Sequence, residues 1–272
     1  MNTRLPLGIQ LALPEEFEKD RGLSGLLSLL RSEGFSELEL NIANLALAEP
    51  ERLRGFLGRF GFSLTRLATG QAARLQGLSL SAADAAVRRR SVQRLAEMIQ
   101  YAARYPAEVI IGLLKGNPGG DPGAAEERFG DSLAELAGML GKSPVPVLLE
   151  VTNTAECAVI TTPQKAADAI ARHPGFGFRV LLDTWHLYRE GLGPVPTLAR
   201  FPDLRGSLHL SDDNRRLPGL GGIDFSPIID VLLSRRYEGS LVLEGVFGGD
   251  PGKDIMRSAR YLRGILDSWD SD

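Results

Sequence analysis

Short apolar runs alternate with longer stretches of helical periodicity from one end of the chain to the other. The runs predict strands at Leu5–Leu13, Glu37–Ile42, Ser63–Thr69, Glu108–Leu114, Val145–Thr152, Phe178–Asp183, Gly206–Ser211 and Leu241–Val246, eight in all. VPVLLEV and SLVLEGV are nearly unbroken apolar runs, as parallel strands covered by helices require. Between them, Ser81–Arg104 reads as a helix with a serine N-cap and with Val87, Leu95, Met98, Ile99 and Ala102 on one face. Glu126–Leu140, Pro163–Arg172 and Ile255–Leu266 show the same periodicity. Proline and glycine gather at 116–123, 191–194 and 217–222, which predicts connecting loops.

Eight strands alternating with helices fold either as a closed (β/α)8 barrel or as a doubly wound sheet. The first strand runs into LGIQLALPEE with no GxGxxG turn, which argues against a dinucleotide-binding sheet. The 272 residues match the size of one such barrel, about 250. No composition shift marks a second domain, so residues 1–272 are read as a single barrel domain. A formal net charge of −3 gives no positive field to gather nucleic acid. No apolar run is long enough to cross a bilayer, and the N-terminus lacks the pattern of a signal peptide. One cysteine, Cys157, forms no internal disulfide and fits a reducing compartment, so a cytoplasmic location is expected.

In such a barrel the chemistry sits at the C-terminal ends of the strands. Strands five to eight read VLLEV, VLLDTWH, SLHLSDD and LVLEGV, and each delivers one metal-competent side chain: Glu150, Asp183, His209 and Glu244. A carboxylate on a buried strand costs several kcal/mol unless it is paired or bound to a cation. Three of them converging beside an imidazole predict one divalent ion, with Mn²⁺, Mg²⁺ or Co²⁺ suiting the oxygen-rich set.

These motifs resemble the xylose-isomerase-like TIM-barrel superfamily, in particular its sugar isomerase, ketose 3-epimerase and hydroxypyruvate isomerase branch. The likeness is strongest between Val145 and Val246. It implies that the same four residues are the metal ligands. It further implies substrate-binding roles for Glu156, six residues after Glu150; for His186 in DTWH; and for Arg215 in NRRLPGLG. The chain departs from the family at Asn153-Thr154, where Asn-Arg is frequent, and at Trp185, where phenylalanine is frequent. Both changes bear on the substrate rather than on the ligands.

The resemblance implies an isomerase or epimerase acting on a small ketose or related hydroxy-carbonyl compound. A divalent ion on neighbouring substrate oxygens would stabilise an enediolate, and Glu150 and Glu244 would exchange the proton as base and acid. His186 and Arg215 would donate to the oxygen that turns negative, and Glu156 would accept from a terminal hydroxyl. A dehydratase acting on a keto-cyclitol or dehydroshikimate-like substrate would use the same ion and remains the alternative. A DNA-repair endonuclease of the superfamily is remote, because its three-zinc site needs more histidines than the three present. Barrels of this kind often form homodimers or homotetramers, and the chain carries no interface signature.

Other residues have plainer readings. His173 before Pro174 is expected at the surface, Lys115 as a snorkelling rim lysine, and Cys157 as a buried packing residue. PGLGG could cradle a phosphate or could simply pass close to a ligand.

Overall fold

The computed structural model describes residues 5–117, 120–201 and 207–269. Eight strands, β1 (Leu7–Ala12), β2 (Glu37–Asn41), β3 (Leu64–Ala68), β4 (Glu108–Ile111), β5 (Val147–Glu150), β6 (Phe178–Asp183), β7 (Ser207–Leu210) and β8 (Ser240–Leu243), pair in sequence order to close a parallel barrel. The last strand pairs with the first through Leu7↔Leu241 and Ile9↔Leu243. This is the (β/α)8 fold that the alternation predicts. Every residue of β5, β7 and β8 is buried, as strands flanked by neighbours and covered by helices must be.

The chain divides into two compact units, one formed by Met1–Gln10, Asp20–Glu37 and Leu182–Asp272, the other by Leu11–Lys19 and Leu38–Leu181. In the first, helix α1 (Arg21–Ser32) begins where Asp20 accepts the Leu23 N–H, and it buries Leu23, Leu27 and Leu30. This heptad-like spacing gives one apolar face, each leucine contributing about 1.5–3 kcal/mol. The C-terminal helix Pro251–Trp269 buries Ile255, Ala259, Leu262 and Leu266, and its Arg263 reaches Glu33 just past α1, at 3.4 Å. In the second unit Ile110, Leu148 and Leu181 form a buried cluster carried by β4, β5 and β6.

Several boundaries differ from expectation. The predicted strands ending at Leu114, Thr152 and Val246 stop at Ile111, Glu150 and Leu243, because the ladders end before the apolar runs do. The helix expected from Ser81 starts at Ala85 and is capped by Asp84, whose carboxylate accepts the Ala86 N–H. Ser81 is buried in the preceding turn instead. The helix expected from Glu126 starts at Pro122, where proline at the first position and Asp121 as cap outweigh the polar look of the segment. The start of the seventh predicted strand at Gly206, part of the loop at 116–123 and the first four residues lie outside the described residues. Among the described residues no helix is long and apolar enough to cross a membrane.

Candidate active site

Strand β6 ends at Asp183, and a short helix, Thr184–Arg189, starts at the next residue. Asp183 is itself the N-cap: its Oδ1 accepts from the backbone N–H groups of Trp185 (2.7 Å) and His186 (3.3 Å). That fixes its carboxylate and leaves Oδ2 for another partner. Thr184 then stitches to the end of β7, its hydroxyl donating to the Ser211 carbonyl at 2.7 Å and accepting the Ser211 N–H at 2.9 Å. The Ser211 hydroxyl in turn donates to the Glu244 carbonyl. Glu244 is the residue immediately after β8, and its own N–H donates to the Leu210 carbonyl at 3.2 Å. Asp183 and His209 are fully buried, and each belongs to its strand's ladder.

Arg215 ties these side chains together. Its Nη1 donates to Asp183 Oδ2 (2.6 Å) and to the Ser211 hydroxyl (2.9 Å), and its Nη2 donates to Glu244 Oε1 (2.7 Å). The guanidinium also lies over the Trp185 ring, 4.6 Å from its centre. The other carboxylate oxygen of Glu244 stands 2.6 Å from His209 Nδ1. Burial pushes the Glu244 carboxyl up, but the Arg215 guanidinium, then His209 and more weakly His186, outweigh it and hold the group well below the usual carboxylate range. Arg216, the other member of the arginine pair, turns away to Asp254 on the C-terminal helix at 2.9 Å.

Arg215 sits at φ +61°, a conformation that side chains rarely adopt, so something must hold it there. Asp212 does so. It is fully buried; its Oδ2 accepts from the N–H groups of Gly219 and Gly221, and its Oδ1 from those of Asp213 and Ile223. A side chain at Gly221 would collide with this carboxylate. The glycine amides of PGLGG are thus engaged by Asp212 and, for Gly222, by Asp213, and the Leu220 N–H by the Leu217 carbonyl, which removes the phosphate-cradle reading of that segment. Asp212 was not singled out from the sequence. The signal available was an acidic pair followed by three closely spaced glycines.

Glu150 ends β5 and is buried. Lys115, expected at the rim, is instead wholly buried, and its Nζ donates to the Glu150 backbone carbonyl at 2.6 Å. The four-carbon stem does not snorkel to water, because an acceptor is waiting inside. Burial lowers the Lys115 ammonium's pKa, against the opposing fields of Cys157, Glu150 and Glu156. Glu156 is half-buried in the turn after β5, its N–H donating to the Asn153 carbonyl. Cys157 is a buried free thiol, as expected of a packing residue. His173 is half-buried rather than on the surface, its ring set edge-on to Phe178 with centroids 6.0 Å apart.

Glu150, Asp183, His209 and Glu244 each offer one ligand atom, and these atoms all lie within 4.8 Å of one another. Neither Glu156 nor His186 belongs to this group. Three carboxylate oxygens and one imidazole nitrogen, without a thiolate, fit a hard or borderline divalent cation better than a structural zinc. The residues present therefore fit the metal that the sequence predicts.

Residues 27–265 match the family described as xylose isomerase-like TIM barrel. The chain is 31% identical over 131 residues to a D-psicose 3-epimerase of Ruminiclostridium cellulolyticum, covering 47% of this chain and 45% of that protein. It is 28% identical over 134 residues to a 3-dehydro-D-guloside 4-epimerase of Escherichia coli, covering 49% of this chain and 51% of that one. The matched stretches thus span about half the length of these relatives. A solved L-ribulose 3-epimerase has the same fold, with a TM-score of 0.77 and 19% identity over 97% of this chain and 95% of that chain. With its match running through all but the chain's outer ends, this protein belongs to the xylose isomerase-like TIM barrel family.

Proposed function

We propose that this chain is a divalent-metal-dependent isomerase that epimerises a small ketose or a related hydroxy-carbonyl sugar. The observation that carries the reading is the convergence of Glu150, Asp183, His209 and Glu244 within 4.8 Å. The relatives named as 3-epimerases and as a 4-epimerase support the reaction class and leave open which carbon reacts. A divalent cation held by these four residues would supply Lewis acidity beside the reacting carbon.

The chain's own residues account for the rest of the reaction. Inverting a carbon beside a carbonyl needs a base on one face and an acid on the other. Glu244, set beside His209 and Arg215 at the end of β8, takes the part of the base. Glu150 is the counterpart that returns one, and the reverse direction exchanges their roles. His186 and Arg215 supply donors to the oxygen where negative charge gathers, and Glu156 accepts from a hydroxyl farther along the sugar.

The test is incubation of the purified protein with a panel of ketoses, hydroxypyruvate and keto-cyclitols in D₂O, with Mn²⁺ and with EDTA. Deuterium entering beside the carbonyl without loss of water, only when metal is present, is the expected result. Glu244→Gln should lower turnover by about 10²–10⁴-fold with the circular dichroism spectrum unchanged. An enone product would make the protein a dehydratase, and nicking of abasic DNA would make it a nuclease. Equal turnover with and without EDTA would remove the metal from the reaction.

A further inference from the structure

Strand β4 ends at Ile111 and runs into a turn, Gly112–Gly116, that is fixed at three points. The Lys115 N–H donates to the Gly112 carbonyl, the Gly116 N–H to the Leu113 carbonyl, and the Leu80 N–H to the Leu114 carbonyl. Two side-chain positions in this turn face Glu150. A Cβ at Gly112 would overlap Glu150 Oε2, so the carboxylate occupies the space that a side chain at 112 would fill. Lys115, three residues on, donates to the Glu150 carbonyl at 2.6 Å from a wholly buried position. An ammonium group taken out of water costs several kcal/mol, and an apolar side chain of the same length would fill that space without the cost. Packing therefore does not explain a lysine here; the carbonyl that it grips does.

We propose that Gly112 and Lys115 are positioning residues that seat Glu150, the first by admitting its carboxylate and the second by pinning its backbone. The proposal rests on the reading of Glu150 as metal ligand and proton carrier given above. Residues that orient a ligand side chain typically carry about 10–100-fold of metal affinity or activity. A misplacement near 1 Å is enough to cost about 10²-fold in rate.

The experiment compares Gly112→Ala and Lys115→Met with the parent protein and with Leu114→Ala, a buried change in the same turn that removes no hydrogen-bond donor. Mn²⁺ affinity is measured by calorimetry, kcat and KM on the sugar found active, and folding by thermal melt. Both seat variants should bind Mn²⁺ about 10–100-fold more weakly and lose kcat more than KM, whereas Leu114→Ala should lower Tm with Mn²⁺ affinity within about twofold of the parent. Adding Glu150→Asp, one methylene shorter, to Gly112→Ala should give less than the summed loss of the two single changes. In metal-free protein the Glu150 carboxyl carbon resonance, assigned through Glu150→Gln, should move in both seat variants. Folded seat variants with parental affinity, kcat and an unmoved resonance would overturn the seat. A parent that binds no Mn²⁺ would overturn the proposed function, and the metal-free resonance would still decide the seat.

Discussion

Glu150 and the pair Asp183 and Glu244 offer the same functional group, yet the chain holds them by opposite means. Asp183 and Glu244 are balanced by charge: one guanidinium, Arg215, donates to both at 2.6 and 2.7 Å. Glu150 is held by shape and by its main chain, through the empty position at Gly112 and the Lys115 grip on its carbonyl. The difference matters because a cation entering the cluster competes with Arg215 for the same kind of oxygen, while it leaves the seat of Glu150 untouched. One arrangement makes buried carboxylates tolerable when no cation is bound. The other sets a carboxylate's place through its backbone and the room left beside it.

Removing the countercharge is the largest test of this contrast. Arg215→Met leaves buried Asp183 and half-buried Glu244 without their shared cation and should destabilise the metal-free protein by about 3 kcal/mol. Saturating Mn²⁺ should recover part of that loss, read as the shift of the urea midpoint with and without metal. An equal deficit in both conditions would mean that Arg215 does not balance these groups. The next test is the loop that presents the guanidinium. Asp212→Ala strands four backbone N–H groups and should cost about 2 kcal/mol or more, with KM for the sugar rising because Arg215 loses its fixed position.

The smallest effect concerns Arg216, which has no part in the cluster. Burial raises the Asp254 carboxyl, but the Gly248 N–H and the Arg216 guanidinium outweigh it, so its pKa is lowered. A depressed carboxyl stabilises fully above its unfolded value, near 3.9, and the contribution is lost as pH falls through the folded value. Asp254→Asn should therefore be less stable than the parent by about 1 kcal/mol at pH 7. The gap should narrow once pH drops below about 4. Urea titrations at several pH values check it, and a gap that widened on acidification would reverse the assignment.

The four clustered residues were legible because each sets one metal-competent side chain in or just after an otherwise apolar strand. The strand centres were legible for the same reason. Their ends were not, since hydrophobicity outlasts the ladder: VLLEVT reads as one strand, yet β5 stops at Glu150. Lys115 was misread because its acceptor lies 35 residues ahead in the chain, and nothing local to LLK announces it. Gly112 and Asp212 were silent in a different way. A glycine whose worth is the room it leaves reads as one more residue of the predicted strand Glu108–Leu114, and an aspartate whose partners are backbone amides looks like an ordinary loop residue.

The segment from Asp212 to Ile223 has the composition of a flexible linker, yet one carboxylate gathers its N–H groups at four places. Its disorder is thus removed when the chain folds rather than when a sugar arrives. Ligand binding through Arg215 should then carry little ordering entropy, and the amide hydrogens of Gly219, Gly221 and Ile223 should exchange slowly with no ligand present.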